Sequence, residues 1–413
     1  MHHFKHIDGE LHCEQKPLKK IAEEVGTPCY VYSRATFERH YTHMDKALEC
    51  MDHVICFAVK ANSNLSVLRL LAELGAGADV VSGGEMFRAL ESGIPADKIV
   101  FAGNGKTERE LRQAIENGIM MINVDSESEL RLLERVAESM DAVAPVALRV
   151  NPDVDPKTHP YISTGLKKNK FGVSIDRAIE CYRRAAASSH LDIVGIHSHI
   201  GSQITEVEPF VESVSKLSDL ALKLGDEGIK LRYIDLGGGI GITYRNEDPL
   251  TYEKYAQSIA PYIERAGCSL VVEPGRSISG NAGILLTRVL YVKEGETKTF
   301  VVVDAAMNDL MRPSLYDSYH AIVPVAEKTG SDTFVVDVVG GICESGDFLA
   351  RDREIPRVAE GDLLAVMSAG AYGSSMSSTY NSRPLVPEVL VDGDEARVVR
   401  RRQTFDEMVA LER

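Results

Sequence analysis

Val54-Ile55-Cys56-Phe57-Ala58-Val59 is an unbroken apolar run that ends on Lys60. Residues 65–74 follow with helical spacing, Gly75 closes them, and Ala78-Asp79-Val80-Val81 opens the next run. A strand apolar on both faces is covered on both sides, and a helix between two such strands is the unit of a parallel sheet. The alternation continues outward through Ile99-Val100-Phe101-Ala102, Met121-Ile122-Asn123-Val124, Val146-Ala147-Leu148-Arg149-Val150, Ile193-Val194-Gly195-Ile196, Tyr233-Ile234-Asp235-Leu236 and Leu270-Val271-Val272. Residues 107–117, 127–138 and 207–224 carry helical periods between these runs. Gly93 and Gly118, like Gly75, stand where helices commonly end on glycine. Eight β/α units in about 220 residues predict a (β/α)8 TIM-type barrel, whose usual length is roughly 250 residues. An open doubly wound sheet alternates in the same way, and the count of eight favours the barrel.

After Arg276 the texture changes. Residues 284–303, 333–340, 362–368 and 385–399 read as strands with turn signals, so an all-β domain of Greek-key or barrel-like type follows. Asp8-Gly9 before Leu11-His12-Cys13 predicts a hairpin that could join this sheet. The expected division is a barrel over 28–279 and a β domain built from 1–27 and 280–413. A chain of 413 residues is too long for one ordinary domain, and 44% hydrophobic with 26% charged residues excludes disorder. A net charge of −15 argues against nucleic acid, which needs a basic face, but permits a small anion where a few arginines meet. The seven cysteines are scattered with no CxxC pair, which excludes a disulfide framework or structural zinc site and predicts a reducing cytoplasm. No apolar run is long enough for a membrane span, and the first residues lack a signal-peptide core.

In a barrel, reactive groups gather at the C-terminal ends of the strands. Lys60 ends the first run. An apolar flank lowers a lysine's pKa and suits it to Schiff-base chemistry, although taken alone a lysine leaving for solvent is the simpler explanation. The second run brings Asp79, the fifth Arg149, and the sixth ends in His197-Ser198-His199-Ile200-Gly201-Ser202-Gln203. The seventh ends in Gly237-Gly238-Gly239-Ile240-Gly241, where backbone N–H groups can approach a phosphate. The eighth ends in Glu273-Pro274-Gly275-Arg276, a carboxylate and an arginine around a glycine. Each signal is modest; their joint placement is not. A lysine, a phosphate cradle and a carboxylate together describe a site for pyridoxal 5′-phosphate, with the carboxylate keeping the pyridine nitrogen protonated and an imidazole against the ring face.

These residues resemble the diaminopimelate decarboxylases, in the pyridoxal-phosphate-dependent decarboxylase group with an alanine-racemase-like barrel. The resemblance runs from Asp8-Gly9-Glu10-Leu11 to Ala371-Tyr372-Gly373. Its motifs are Phe57-Ala58-Val59-Lys60-Ala61-Asn62, the His197–Gln203 segment, Glu273-Pro274-Gly275-Arg276, Met311-Arg312-Pro313-Ser314-Leu315-Tyr316 and Cys343-Glu344-Ser345-Gly346-Asp347. It implies decarboxylation of meso-2,6-diaminopimelate to L-lysine, the last step of lysine biosynthesis. Lys60 would hold the cofactor covalently, Glu273 would pair with the pyridinium nitrogen, His199 would stack on the ring and Asp79 would sit beside the lysine. Ser202, Gly238, Gly239, Pro274, Gly275 and Arg276 would surround the phosphate, and Tyr372 would touch cofactor and substrate. Cys343 would donate the proton that replaces the lost carboxylate, from the partner subunit of a homodimer with shared sites. Whether Arg149 and His197 contact the cofactor or brace the site stays open.

The distal carboxylate of diaminopimelate calls for fork-like donors, which Arg276 and Arg312 supply, with Tyr316 adding another hydrogen bond and Glu344 taking the distal ammonium. Ornithine-type relatives do not need the arginine of the Met311–Tyr316 motif. The nearest rivals are a decarboxylase of another basic amino acid, of arginine or ornithine type, and a racemase on the same barrel. A catalytically dead binding protein should lack Lys60 or Cys343, and both are present. A barrel that binds another phosphate compound is the third possibility. No metal is expected.

Overall fold

The computed structural model describes residues 2–155, 170–328, 330 and 332–413. They divide into two compact units. Residues 40–242 and 248–277 form one, and 1–39, 243–247 and 278–413 the other.

The first unit is the barrel. Its strands are β1 (His53–Ala58), β2 (Gly77–Val80), β3 (Ile99–Phe101), β4 (Met121–Val124), β5 (Ala144–Asn151), β6 (Leu191–His197), β7 (Tyr233–Asp235) and β8 (Ser269–Val272). Each pairs in parallel with the next in sequence, and β8 closes on β1 through Leu270, Val271 and Val272. An open doubly wound sheet would reverse its strand order and leave two edges; here the order never reverses and the sheet closes. The two-residue strand Val173–Ser174 adds to β5 from outside the ring. β2, β3 and β4 are buried at every residue, as expected of strands that face other side chains inward and helices outward. Cys56, Val100, Met121, Ala147, Val194 and Val271 form one apolar cluster contributed by six strands.

Local signals explain the helices. Asn64, Ser82, Ser126 and Thr251 each accept a hydrogen bond from a first-turn N–H, and Thr107 forms a full capping box with Glu110. Gly118 closes its helix in the left-handed conformation, φ 63°. One local expectation changes. β1 stops at Ala58, and Val59–Ala61 is a 3-10 turn in which Val59 and Ala61 are buried and Lys60 points out of the apolar lining.

In the second unit a nine-stranded, mostly antiparallel sheet runs in the order Ala350–Pro356, Thr333–Val339, Thr299–Val303, Gly283–Glu294, Cys29–Ser33, Glu388–Asp392, Glu395–Arg400. Leu363–Val366 also pairs with Gly283–Glu294, and Ile322–Pro324 with Leu363–Val366. Two expectations need correction. Cys29–Ser33, assigned to the barrel side of a division at residue 28, is a central strand of this sheet and is buried at all five positions. The Asp8-Gly9 hairpin forms, but its strands Phe4–Ile7 and Glu10–Cys13 make a separate three-stranded sheet with Lys16–Pro17. Its apolar face, Phe4, Leu11 and Cys13, packs on Val31, Leu286 and Val389 of the large sheet, so burial drives it to lie against that sheet rather than to extend it. Among the described residues no helix is long and apolar enough to cross a membrane.

Candidate active site

Strand register sets the barrel mouth. Arg149, His197 and Asp235 lie side by side at the ends of β5, β6 and β7, while Asp79 pairs opposite Ala58 and Val100. Lys60, lifted by its 3-10 turn, donates from Nζ to Asp79 Oδ2 at 2.5 Å; Asp79 is fully buried and the lysine side chain is 37% exposed. Burial first, and the Glu273 charge second, push the Asp79 carboxyl above its usual range, while Lys60 pulls it back. The pairing fixes the amine at the edge of a cavity of about 450 Å³, lined by Lys60, Arg149, Phe171, His197, His199 and Glu273.

Across that cavity Glu273 is buried, and its Oε1 has no hydrogen-bond partner among the described residues. Its other oxygen is 3.6 Å from His197 Nε2. Burial opposes its charge, but His197 and Lys60 outweigh burial and hold the carboxyl well below the usual carboxylate range. Behind it, Asp235 accepts from Gly237 N at 2.8 Å and from Asn123 Nδ2 at 3.2 Å. Burial, then the Glu273 charge, push Asp235 well above its normal value. Burial and mutual repulsion thus oppose the charge on Asp235, while the neighbouring cations favour it on Glu273, the residue that lines the cavity. A buried anionic oxygen without a donor suits a protonated pyridine nitrogen.

The glycine run makes the cradle. A Cβ on Gly238 would lie 2.3 Å from the Glu273 carbonyl, and Gly239 has φ 122°, so neither position admits a side chain. Gly238 N donates to His199 Nδ1 at 3.2 Å, which places the ring proton of neutral His199 on Nε2. Ser202 Oγ accepts from Arg276 Nε at 3.2 Å and Nη2 at 3.1 Å, joining the sixth and eighth strand ends around the same loop. Donor set, cradle and orphan carboxylate all fit pyridoxal phosphate.

Burial, then Arg149 and Lys60, lower the His199 pKa from 6.5 to about 3, so the ring is an uncharged plate at neutral pH. The unfolded imidazole takes up a proton near pH 6.5 and the folded one only near 3, so His199 withdraws stability as pH falls through that window. His199→Gln should lose less stability than wild type between pH 7 and pH 5, by on the order of 1–2 kcal/mol in urea melts. Equal losses would contradict the buried neutral ring.

His197 is fully buried beside Glu273, and Arg149 donates to the His199 carbonyl at 3.5 Å, lies 3.8 Å from Asp125 and stacks over Phe171 at 4.4 Å. Sequence reading passed over Asn123, Asp125, Phe171, Asp235 and the cavity-lining loop from Ala102 to Gly105. Asn123 and Asp235 did carry a signal, since each interrupts an otherwise apolar strand.

The remaining expected residues lie in the β unit. Arg312, at the head of the helix Arg312–Tyr316, is buried and Tyr316 partly so. Cys343 is exposed, its N–H donating to Asn381 Oδ1 at 3.0 Å, and Glu344 accepts from Tyr380 Oη at 3.0 Å. Their loop is pinned by buried Asp347, which accepts from Met307 N at 2.8 Å and Ile342 N at 2.7 Å. Tyr372 has φ 56°, left-handed backbone that a bulky residue rarely adopts outside functional segments.

Residues 34–280 match the family described as pyridoxal-dependent decarboxylase, pyridoxal binding domain. A diaminopimelate decarboxylase of Pseudomonas aeruginosa is 52% identical, the alignment covering 99% of this chain and 98% of that one. The enzyme of the same name from Vibrio cholerae is 50% identical over 98% of this chain and 97% of its own. The crystal structure of the Helicobacter pylori diaminopimelate decarboxylase with L-lysine superposes with a TM-score of 0.92 at 44% identity, covering 96% of this chain and 99% of that one. With its ordered lysine, orphan carboxylate and glycine cradle matched by relatives along nearly its whole length, the chain belongs to the diaminopimelate decarboxylase family of pyridoxal-phosphate-dependent decarboxylases.

Proposed function

We propose that this protein removes carbon dioxide from meso-2,6-diaminopimelate to give L-lysine, working in the cytoplasm as a homodimer with shared sites. The observation that carries the chemistry is the opposition, across one cavity, of Lys60 held by Asp79 and the unpartnered oxygen of Glu273. Pyridoxal phosphate, when bound, supplies an electron sink for the pair left behind as the carboxyl group departs.

The residues divide the remaining work. Lys60 would hold the cofactor covalently, its amine kept in place by Asp79. Glu273 keeps a proton on the pyridine nitrogen, and neutral His199 walls the ring. Ser202, Gly238, Gly239 and the Pro274-Gly275-Arg276 turn receive the phosphate, and Tyr372 closes against cofactor and substrate. Arg276, Arg312 and Tyr316 meet the distal carboxylate, and Glu344 meets the distal ammonium. The Cys343 thiol gives its proton to the carbon that lost the carboxyl group at the D-centre. Exposure of Cys343 and Glu344 on a pinned loop supports their delivery to a partner subunit's site.

Carbon dioxide and lysine release from meso-diaminopimelate, assayed beside arginine and ornithine with added cofactor, tests the reading. Turnover of ornithine or arginine in preference would overturn it. Cys343→Ala should keep the bound-cofactor absorbance while turnover falls about 100-fold, the scale of a lost general acid. A nearly normal rate would remove Cys343 as the proton donor.

A further inference from the structure

Arg312 is only 5% exposed, and three groups converge on it. Its Nε donates to His320 Nε2 at 3.3 Å, its Nη2 to Ser318 Oγ at 3.3 Å, and its guanidinium carbon lies 5.2 Å from the centre of the Tyr244 ring. His320 is itself fully buried. Its Nδ1 is 2.9 Å from the Met367 carbonyl, which can only accept, so Nδ1 carries the proton and the neutral ring turns the Nε2 lone pair toward Arg312. Arg353 Nη1 donates to the His320 carbonyl at 2.7 Å, and Tyr244 meets the imidazole edge-on, 5.4 Å between centroids at 81°. The histidine is thus held through its backbone, its far nitrogen and its ring face.

We propose that His320 is a specificity-determining positioning residue, a neutral acceptor that aims the Arg312 guanidinium at the distal carboxylate of the substrate. The inference rests on the reading that Arg312 binds that carboxylate. An arginine recognises a carboxylate through paired N–H groups in a planar fork, so the plane must be fixed before binding if ordering the side chain is not to weaken affinity. His320 fixes it by engaging Nε and Ser318 by engaging Nη2, so the guanidinium plane is set before substrate arrives. The choice of acceptor matters. An aspartate or glutamate at position 320 would orient the arginine equally well but neutralise it and compete with the substrate's carboxylate. A neutral imidazole locked in one tautomer orients the guanidinium without itself neutralising it.

The test is a double-mutant cycle on the holoenzyme. His320→Asn keeps a donor for the Met367 carbonyl but is too short to reach Arg312, and His320→Leu removes both contacts. Each should raise KM for meso-diaminopimelate by roughly 10-fold or more, the scale of one lost hydrogen bond to a charged group, with kcat within about threefold. His320→Gln, whose terminal oxygen can face Arg312, should recover most of the loss. Against an Arg312→Met background, His320→Asn should add little, because residues acting through one another are not additive. Cofactor absorbance and thermal melting, read on every variant, report folding separately. An unchanged KM in His320→Asn, a loss confined to kcat, or full additivity with Arg312→Met would overturn the proposal. An unchanged KM in Arg312→Met alone would instead overturn the reading of Arg312.

Discussion

Lys60→Ala protein is expected to be colourless and to turn over at least about 1000-fold more slowly than wild type, even with excess cofactor. Borohydride should fix a cofactor-derived mass on the wild-type peptide that carries Lys60, and on no peptide of the variant. The fold should survive, because the lysine sits on a turn at the cavity edge rather than in the apolar cluster below. A cost in stability is nevertheless predicted, with a definite pH dependence. Asp79 is fully buried and Lys60 Nζ is its ion-pair partner at 2.5 Å. Burial already pushes that carboxyl up, and removing the cation pushes it further. A carboxyl whose folded pKa is raised destabilises the fold once pH exceeds its unfolded value, near 4, and the penalty grows until the folded pKa is passed. Lys60→Ala should therefore fall further below wild type at pH 7.5 than at pH 5. Lys60→Ala/Asp79→Asn should remove that difference. A Lys60→Ala protein that is coloured and active would refute the covalent assignment; a loss of stability independent of pH would refute only the pairing with Asp79.

What could be read from sequence, and what could not, follows one physical line. The barrel strands were legible because burial on both faces leaves continuous apolar runs, and the intervening helices carry their own caps, such as Thr107 with Glu110. Pairing partners are not written locally, so Cys29–Ser33 fell inside the expected barrel span, and nothing in its sequence reveals that it sits between Gly283–Glu294 and Glu388–Asp392. Ala350–Pro356 went unread for the opposite reason. It ends the sheet, and its Arg351, Asp352, Arg353 and Glu354 suit an edge strand that avoids further pairing. The site divides likewise. Lys60, His199, Glu273 and the glycine run stand at strand ends, where barrel chemistry gathers. His320 stands outside any run, and only the folded loop brings its ring to Arg312.

Glu273→Gln isolates the largest electrostatic contribution with the smallest structural change. The backbone bond from Glu273 N to the Gly237 carbonyl, 2.8 Å, survives the substitution, and the Oε1 atom has no described partner to lose. Thermal stability should therefore stay near wild type. Turnover should fall by about 1000-fold, roughly 4 kcal/mol in the barrier, because an amide cannot keep a proton on the pyridine nitrogen. The neighbouring carboxyl provides a second readout. Asp235 is pushed up by burial first and by the Glu273 charge next, so Glu273→Gln removes the repulsion and lets Asp235 ionise more readily. Both oxygens of that new anion are already engaged, Oδ1 by Gly237 N and Oδ2 by Asn123 Nδ2, and Asp235 does not line the cavity as Glu273 does. Glu273→Gln/Asp235→Asn should then be no slower than Glu273→Gln alone. Turnover by Glu273→Gln within 10-fold of wild type would mean that the buried carboxylate does not set the cofactor's protonation. A further 10-fold loss in the double variant would mean that Asp235 shares the task, and that the charge in this pocket belongs to the pair rather than to the oxygen that faces the cavity.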